Sequence, residues 1–434
     1  MLFKTLFTAL MIFCLQTSSS VVAKEFAGSA ACQNCHQKEY AAWKKSHHAQ
    51  AWLPATTEHV LGNFDNQTFE HNGQQYFFSR ENESYFMTLD NAEGKMQKFP
   101  VHSTAGIAPL QQYLIETENG KLQAPDVVWD VKQQRWYHLY PDQQLIARNG
   151  LHWTGPYKNW QARCAECHAT GFEKNYDSQL QAYQSHQAEM GVGCESCHGP
   201  SLAHAASPHT NKTSNSLDGS TEALLNSCAA CHSRREPLGA NSPPVGHDFD
   251  NHYRLSLLNE TLYFADGQIK DEVYVYGSFL QSKMHAKGVS CLNCHDSHSY
   301  ELKLQGNALC LQCHNPQGNS QFPSLQKKRY DAPSHHFHQP ESEAAQCVTC
   351  HMPERHYMVI DGRRDHSFKV PRPDLSAKTG APNVCNSCHN EQTSTWASQV
   401  IQEKLKNNRQ GSVSFATAFA KARNKPDFTT ASEL

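Results

Sequence analysis

Eight copies of C-x-x-C-H punctuate this chain, at Cys32/Cys35, Cys164/Cys167, Cys194/Cys197, Cys228/Cys231, Cys291/Cys294, Cys310/Cys313, Cys347/Cys350 and Cys385/Cys388. Each pair is followed at once by a histidine: His36, His168, His198, His232, His295, His314, His351 and His389. The pairs use all but one of the 17 cysteines, leaving Cys14, so intrachain disulfides are nearly excluded by arithmetic. What the spacing serves is covalent cofactor attachment. Two thiols so placed form thioether bonds to the vinyl groups of a haem, and the adjacent imidazole becomes the proximal iron ligand.

C-x-x-C pairs also build zinc ribbons and thioredoxin-like redox sites. Neither needs the histidine that follows here. With 27 histidines in 434 residues, one follows a random cysteine about 6% of the time, so eight in a row would arise by chance on the order of once in 10^10.

Haem also resolves a problem of composition. Only 38% of the residues are hydrophobic and the mean hydropathy is −0.66, a thin core for a chain long enough for two or three domains. Eight covalently bound haem c groups would form much of that core, because each is a large apolar plate for side chains to pack on. The formal charge of −3 becomes −4 if Lys4 leaves with a leader. Propionates and ferric irons then bring the total to roughly −12 oxidised and −20 reduced. Nucleic acid is excluded as a partner on that balance, and a basic patch on a redox protein is favoured.

The first 23 residues read as a secretory signal: Lys4, the apolar stretch Leu6 to Leu15, and a small-residue cleavage site at Val21-Val22-Ala23. Phe13 is too bulky for a lipobox before Cys14, and no run elsewhere reaches the 18 apolar residues of a membrane span. The expectation is an exported, periplasmic bacterial protein that does not span the membrane.

The motifs divide the chain unevenly. A first haem segment (24–59) precedes a motif-free stretch (60–148), a seven-haem region (149–390) and a tail (391–434). Between Cys164 and His389 each haem has about 32 residues of chain, which forces the porphyrins together. The gap reads as an inserted antiparallel β domain, with alternating or aromatic runs at Gln75 to Ser79, Tyr85 to Leu89, Gln111 to Glu118 and Arg135 to Tyr140. Asn72-Gly73 and Asn119-Gly120 are hairpin-type turns. The haem region has little regular pattern, as short helices and loops wrapped round cofactors would. In the tail, Trp396, Val400, Ile401 and Leu405 share one helical face, Phe415 and Phe419 mark a second helix, and Asp427 caps a third.

The second axial ligand decides the chemistry, since a haem with two histidines only passes electrons while an open position binds small molecules. Nineteen histidines remain beyond the proximal eight. The distal candidates are His48, His152, His204, His247, His285, His298, His335, His338 and His366. His298 follows its own proximal histidine by three residues and cannot reach the far face of that haem, so it serves a neighbour. Arg234-Arg235 and Arg363-Arg364 are candidates for propionate or anion binding, with His356 or Tyr357 as a proton donor.

These motifs resemble those of multihaem, here octahaem, c-type cytochromes of the cytochrome c-552/4 type with doubled C-x-x-C-H repeats. The matching stretches are Cys32 to Ala49, Trp160 to Pro200, Tyr274 to His298 and Cys347 to His389, including His351-Met352-Pro353 and Arg364-Asp365-His366-Ser367-Phe368. The resemblance implies a multihaem cytochrome c fold, mostly short α-helices and loops round eight haems, with a β insertion and a short helical tail. Relatives of this arrangement often continue into tetratricopeptide or HEAT repeats. Eight uniform attachment sites with histidines to spare favour periplasmic electron transfer between a quinol-oxidising membrane cytochrome and a terminal reductase or acceptor in anaerobic respiration. The alternative is a reductase or oxidoreductase of nitrite, hydroxylamine, sulfite or tetrathionate at one open haem. Neither a C-x-x-C-K motif nor a widely spaced C-x15-C-H motif, the marks of catalytic haems in nitrite and sulfite reductases of the wider superfamily, occurs in the chain.

Overall fold

The computed structural model describes residues 26–424, apart from 214, 216, 218–219, 240–242, 244 and 407–408. The expected leader, Cys14 and the Asp427 cap lie outside the described residues. The gap between the first two motifs is a large antiparallel sheet. Its strands are β1 (Trp52–Pro54), β2 (Gln67–His71), β3 (Gln74–Glu81), β4 (Ser84–Asp90), β5 (Met96–Ala105), β6 (Leu110–Glu116), β7 (Leu122–Gln123), β8 (Val127–Asp130) and β9 (Arg135–His138). The order is β2-β3-β4-β5-β6-β8-β9, with β1 on β5 and β7 on β6.

Local sequence explains the turns. Asn72 and Gly73 take φ of 49° and 76°, and Asn119 and Gly120 take 61° and 68°, the left-handed values that a tight two-residue reversal demands and that Asn and Gly tolerate. Period-two patterning explains the core. Tyr76 and Phe78 from β3 and Tyr85, Met87 and Leu89 from β4 are all buried on one face. Phe64 is the hub, with ring centroids 5.1 Å from Tyr85 and Tyr113 and 5.3 Å from Trp136. Trp136 in turn stacks flat on Phe78 at 3.7 Å.

The other face of β6, β8 and β9 has a different job. Leu110, Val128 and Tyr137 pack against Met358 and Ile360, and the Tyr137 hydroxyl donates to the Met358 carbonyl at 3.1 Å. These residues are the tip of a hairpin, Glu354–Tyr357 with Asp361–Arg364, so the sheet anchors a hairpin of the motif-bearing region.

That region is made of short pieces, among them Trp160–Arg163, Ala165–His168, Glu195–His198, Thr221–Ala229, Ala308–Leu311, Cys347–His351 and Val384–Cys388. Most motifs close one helical turn, with the histidine N–H donating to the first cysteine's carbonyl at 2.9 Å in His36, His232, His295, His314 and His389. Residues i, i+3 and i+4 of a turn share a face, so both thiols and the imidazole project together. Beyond the motifs, helices Ser394–Lys404 and Phe415–Asn424 fold back onto the body. The Arg423 guanidinium donates to the Tyr263 and Leu258 carbonyls at 3.1 and 2.8 Å, and Arg372 pairs with Asp374 at 2.7 Å. No helix among the described residues is long and apolar enough to cross a membrane.

Candidate functional site

Five of the eight motif histidines face a second histidine from elsewhere in the chain. The ring-centroid distances are 6.4 Å for His36 and His204, 6.0 Å for His232 and His48, and 6.4 Å for His198 and His298. They are 6.2 Å for both His351 with His335 and His389 with His338. That separation is too long for stacking and matches a metal held between the rings. Two metal–nitrogen bonds of about 2.0 Å and about 1.1 Å from each nitrogen to its ring centroid give about 6.2 Å.

The hydrogen bonds agree. Nδ1 of His204 meets the Asn211 carbonyl at 2.7 Å and Nδ1 of His351 meets that of Lys369 at 2.9 Å, which leaves Nε2 of each ring for a metal. Burial holds His232 and His335 neutral by lowering their pKa to about 4, and the neutral ring is the form that ligates. His335 Nδ1 and Trp160 Nε1 are buried without a hydrogen-bond partner, as expected of groups that a bound cofactor would meet. The residues fit haem.

The motifs also touch one another. Thiols of different motifs lie within hydrogen-bonding distance in four pairs: Cys32 with Cys194, Cys167 with Cys231, Cys228 with Cys291, and Cys310 with Cys347. Cys197 neighbours Cys228, Cys294 neighbours Cys313, and Cys350 neighbours Cys385 and Cys388. In chain order the motifs therefore connect first, third, fourth, fifth, sixth, seventh, eighth, and the second joins through the fourth. The two exposed motif thiols, Cys35 and Cys388, belong to the two ends of that path.

The remaining candidates fall differently. His366 has its Nδ1 on the Arg364 carbonyl at 3.0 Å and lies within electrostatic reach of His295. His285 packs on Phe279 at 5.5 Å. His152 is placed in the β domain, where Nε2 meets Asp90 at 2.9 Å and Nδ1 meets Thr154 at 2.8 Å. Both nitrogens are thus engaged, and a chain position just before a motif did not bring the ring to one. His247 is exposed against His252 at 5.4 Å. The Tyr357 hydroxyl is taken by the Asp271 carbonyl at 2.7 Å, while His356 stands near Glu354 at 3.7 Å.

Of the arginines, Arg235 lies over the Tyr253 ring at 3.7 Å, with Glu166 at 3.4 Å and the Cys167 sulfur at 3.8 Å. Arg364 reaches Glu354 at 3.5 Å and Arg363 pairs with Asp361 at 2.6 Å. Sequence reasoning missed Glu195, inside the third motif. Its buried carboxylate accepts from the backbone N–H of Ala27, Gly28 and Ser201 at 2.9, 2.8 and 2.7 Å. It missed Gly191 as well. This residue has φ of +80°, and a Cβ there would lie 2.6 Å from the Ala49 carbonyl, where Val192 N–H holds the His48 carbonyl at 2.9 Å.

Residues 31–77 and 129–199 match the family model for cytochrome c554 and c-prime, and residues 284–319 match that for the doubled CXXCH motif. The dissimilatory sulfite reductase MccA of Wolinella succinogenes is 22% identical over 343 residues, which is 69% of this chain and 45% of that protein. The chain thus spans about half the length of that relative. Among solved structures, the outer cell wall cytochrome OcwA superposes with a TM-score of 0.58 at 17% identity, covering 95% of this chain and 98% of that one. Repeated attachment motifs, matches to two cytochrome motif families and a shared multihaem fold together make this chain a multihaem c-type cytochrome that binds its haem covalently.

Proposed function

We propose that the chain carries eight haems and conducts electrons in the periplasm between a quinol-oxidising membrane cytochrome and a terminal reductase or acceptor. The observation that carries this reading is the set of five imidazole pairs at 6.0 to 6.4 Å, because a haem with two histidine ligands has no position left for substrate. In this reading each motif supplies two cysteines and the proximal histidine. His204, His48, His298, His335 and His338 supply the far ligands for His36, His232, His198, His351 and His389. His366 serves His295, and His285 is the remaining candidate for His314. Haem supplies the electron carrier. The chain's residues would hold it, orient the rings of His168, His204, His351 and His366 by a carbonyl on Nδ1, and set neighbouring attachment cysteines side by side.

The test is a pyridine haemochrome assay with peptide mass spectrometry on protein matured in a host with intact c-type cytochrome assembly, followed by a potentiometric titration. Eight haems per chain and a reduction wave spread over a broad range are expected, since charged neighbours shift one another's potentials. Colourless protein, or bound zinc, would end the reading.

A second reading, reduction of nitrite, hydroxylamine, sulfite or tetrathionate, is favoured by one observation. Among the described residues, the ring neighbours of His168 and His314 are Trp160 at 5.1 Å and Tyr330 at 5.5 Å rather than imidazoles at the paired distance.

A further inference from the structure

Where the sixth motif touches the seventh, a hydrogen-bond node joins them. Asn307 precedes the one-turn helix Ala308–Leu311 of the sixth motif, and its side chain serves the seventh. The amide oxygen accepts the Cys347 backbone N–H at 2.8 Å, while Nδ2 donates to the Ala345 carbonyl and to Asp331 Oδ1, both at 3.1 Å. An amide offers one oxygen and two N–H groups, so both hydrogens are used and neither a carboxylate nor an apolar side chain of the same shape reproduces the set. Two attachment segments 40 positions apart are thereby fixed to each other and to the chain at Asp331.

Asp331 follows Tyr330, and pinning the one places the other. The Tyr330 ring stands edge-on to His314, the sixth motif's own histidine, with centroids 5.5 Å apart and planes at 87°. It also stands edge-on to His335, at 5.2 Å and 90°, and His335 is the ring that faces His351 of the seventh motif at 6.2 Å. One phenol ring thus touches imidazoles that belong to two different motifs. Its own place is held by the hydroxyl, which donates to the Gln326 carbonyl at 3.3 Å, and by Lys328 Nζ, 5.6 Å from the ring centroid. Carbonyls turn the rings of His204, His351 and His366 through Nδ1. Nδ1 of His335 has no such partner among the described residues, so contacts between rings set its plane.

We infer that Asn307 and Tyr330 are positioning residues for electron passage between the sixth and seventh sites. Asn307 fixes the spacing of the two attachment segments, and Tyr330 fixes the planes of His314 and His335. Groups that orient a ligand tune the metal it binds, and a ring shared by two ligands acts on both metals at once. The passage is a one-electron exchange in which one site is oxidised as the other is reduced, so no further reactant enters. The inference rests on haem attachment at both motifs, as proposed above.

The experiment uses the full-length, fully matured protein and reads ligand geometry by electron paramagnetic resonance of the oxidised state. The low-spin signal that His335→Gln removes identifies the seventh haem. Tyr330→Leu should shift that signal together with the signal of one other haem, and Tyr330→Phe, which keeps the ring, should leave both in place. Asn307→Leu should shift the same two. After a light-driven pulse of reduction, equilibration of the seventh and eighth haems with the rest should slow about tenfold in Tyr330→Leu, the low end for losing an outer partner of a ligand, and recover in Tyr330→Phe. A shift in one haem or none, a Tyr330→Phe protein that behaves like Tyr330→Leu, or an unaltered rate in Tyr330→Leu would overturn the inference. So would an Asn307→Leu protein with both signals unmoved. Failure of the attachment reading is seen separately, as peptides containing Cys310 and Cys313 or Cys347 and Cys350 without haem mass.

Discussion

Glu195 is 1% exposed, yet its carboxylate is fully used, clamping the start of the described chain and residue 201 to the third motif through three backbone N–H groups. Glu195→Gln would turn an amide NH2 toward donors, at a cost of about 1 to 3 kcal/mol. A fall in the thermal midpoint with unchanged haem content is the expected result; an unaltered melt would show that the clamp contributes nothing. Single histidines make a sharper case. Replacing His298 by Gln should convert one haem, that of His198, from low to high spin while the others keep their spectra, as read by magnetic circular dichroism. At this scale the motif cysteines and histidines were legible because attachment requires consecutive chain positions. His298 was read as turning away from its own motif because three residues cannot span a porphyrin, and its ring faces that of His198 at 6.4 Å. His152 and His247 were not legible, since a histidine's chain distance from a motif says little about where its ring ends.

Elements carry the next level of control. The strands β3, β4, β6 and β9 overlap the runs Gln75 to Ser79, Tyr85 to Leu89, Gln111 to Glu118 and Arg135 to Tyr140, because alternation of buried and solvent-facing residues is written directly in the chain. β5 was invisible: Met96 to Val101 is largely exposed and contains Pro100, so only its pairing with β4 and β6 makes it a strand. Inside the sheet, His138 stacks on His71 at 4.1 Å, and burial first, then His71, lowers its pKa from 6.5 to about 4. A histidine with a depressed folded pKa stabilises fully above its unfolded value and loses that contribution as pH falls to the folded one. The protection factors of amides in β8 and β9, which correct for slower intrinsic exchange in acid, should therefore fall between pH 6.5 and 4, and His138→Gln should flatten the profile. Gly191 sets the approach of the His48 loop. Gly191→Ala puts a Cβ 2.6 Å from the Ala49 carbonyl, so the fourth motif's haem should lose its His48 ligand in part, appearing as a new high-spin fraction.

For the whole molecule, the order of contacts departs from the order of motifs. The third motif lies between the first and the fourth, and the second hangs from the fourth. If current follows thioether neighbours, the sixth motif is the one bridge between the fifth and the seventh. Cys310→Ala with Cys313→Ala should then split rapid reduction into two separate phases, one for the seventh and eighth haems and one for the rest. A single undivided phase would mean that electrons cross by another route. The exposed Cys35 and Cys388 put the path's ends at opposite termini of the haem-bearing chain, where partners can dock.

What the chain by itself determined was the cofactor, its attachment points and the presence of a sheet between the first two of them, because each is a short-range pattern of spacing or alternation. The tertiary structure alone decided which histidine ring faces which motif histidine, and that those of His168, His295 and His314 have no imidazole set at the same distance among the described residues. Those relations join residues up to 184 positions apart, as His48 and His232, and come into being only when the sheet, the hairpin it anchors and the one-turn helices are packed together.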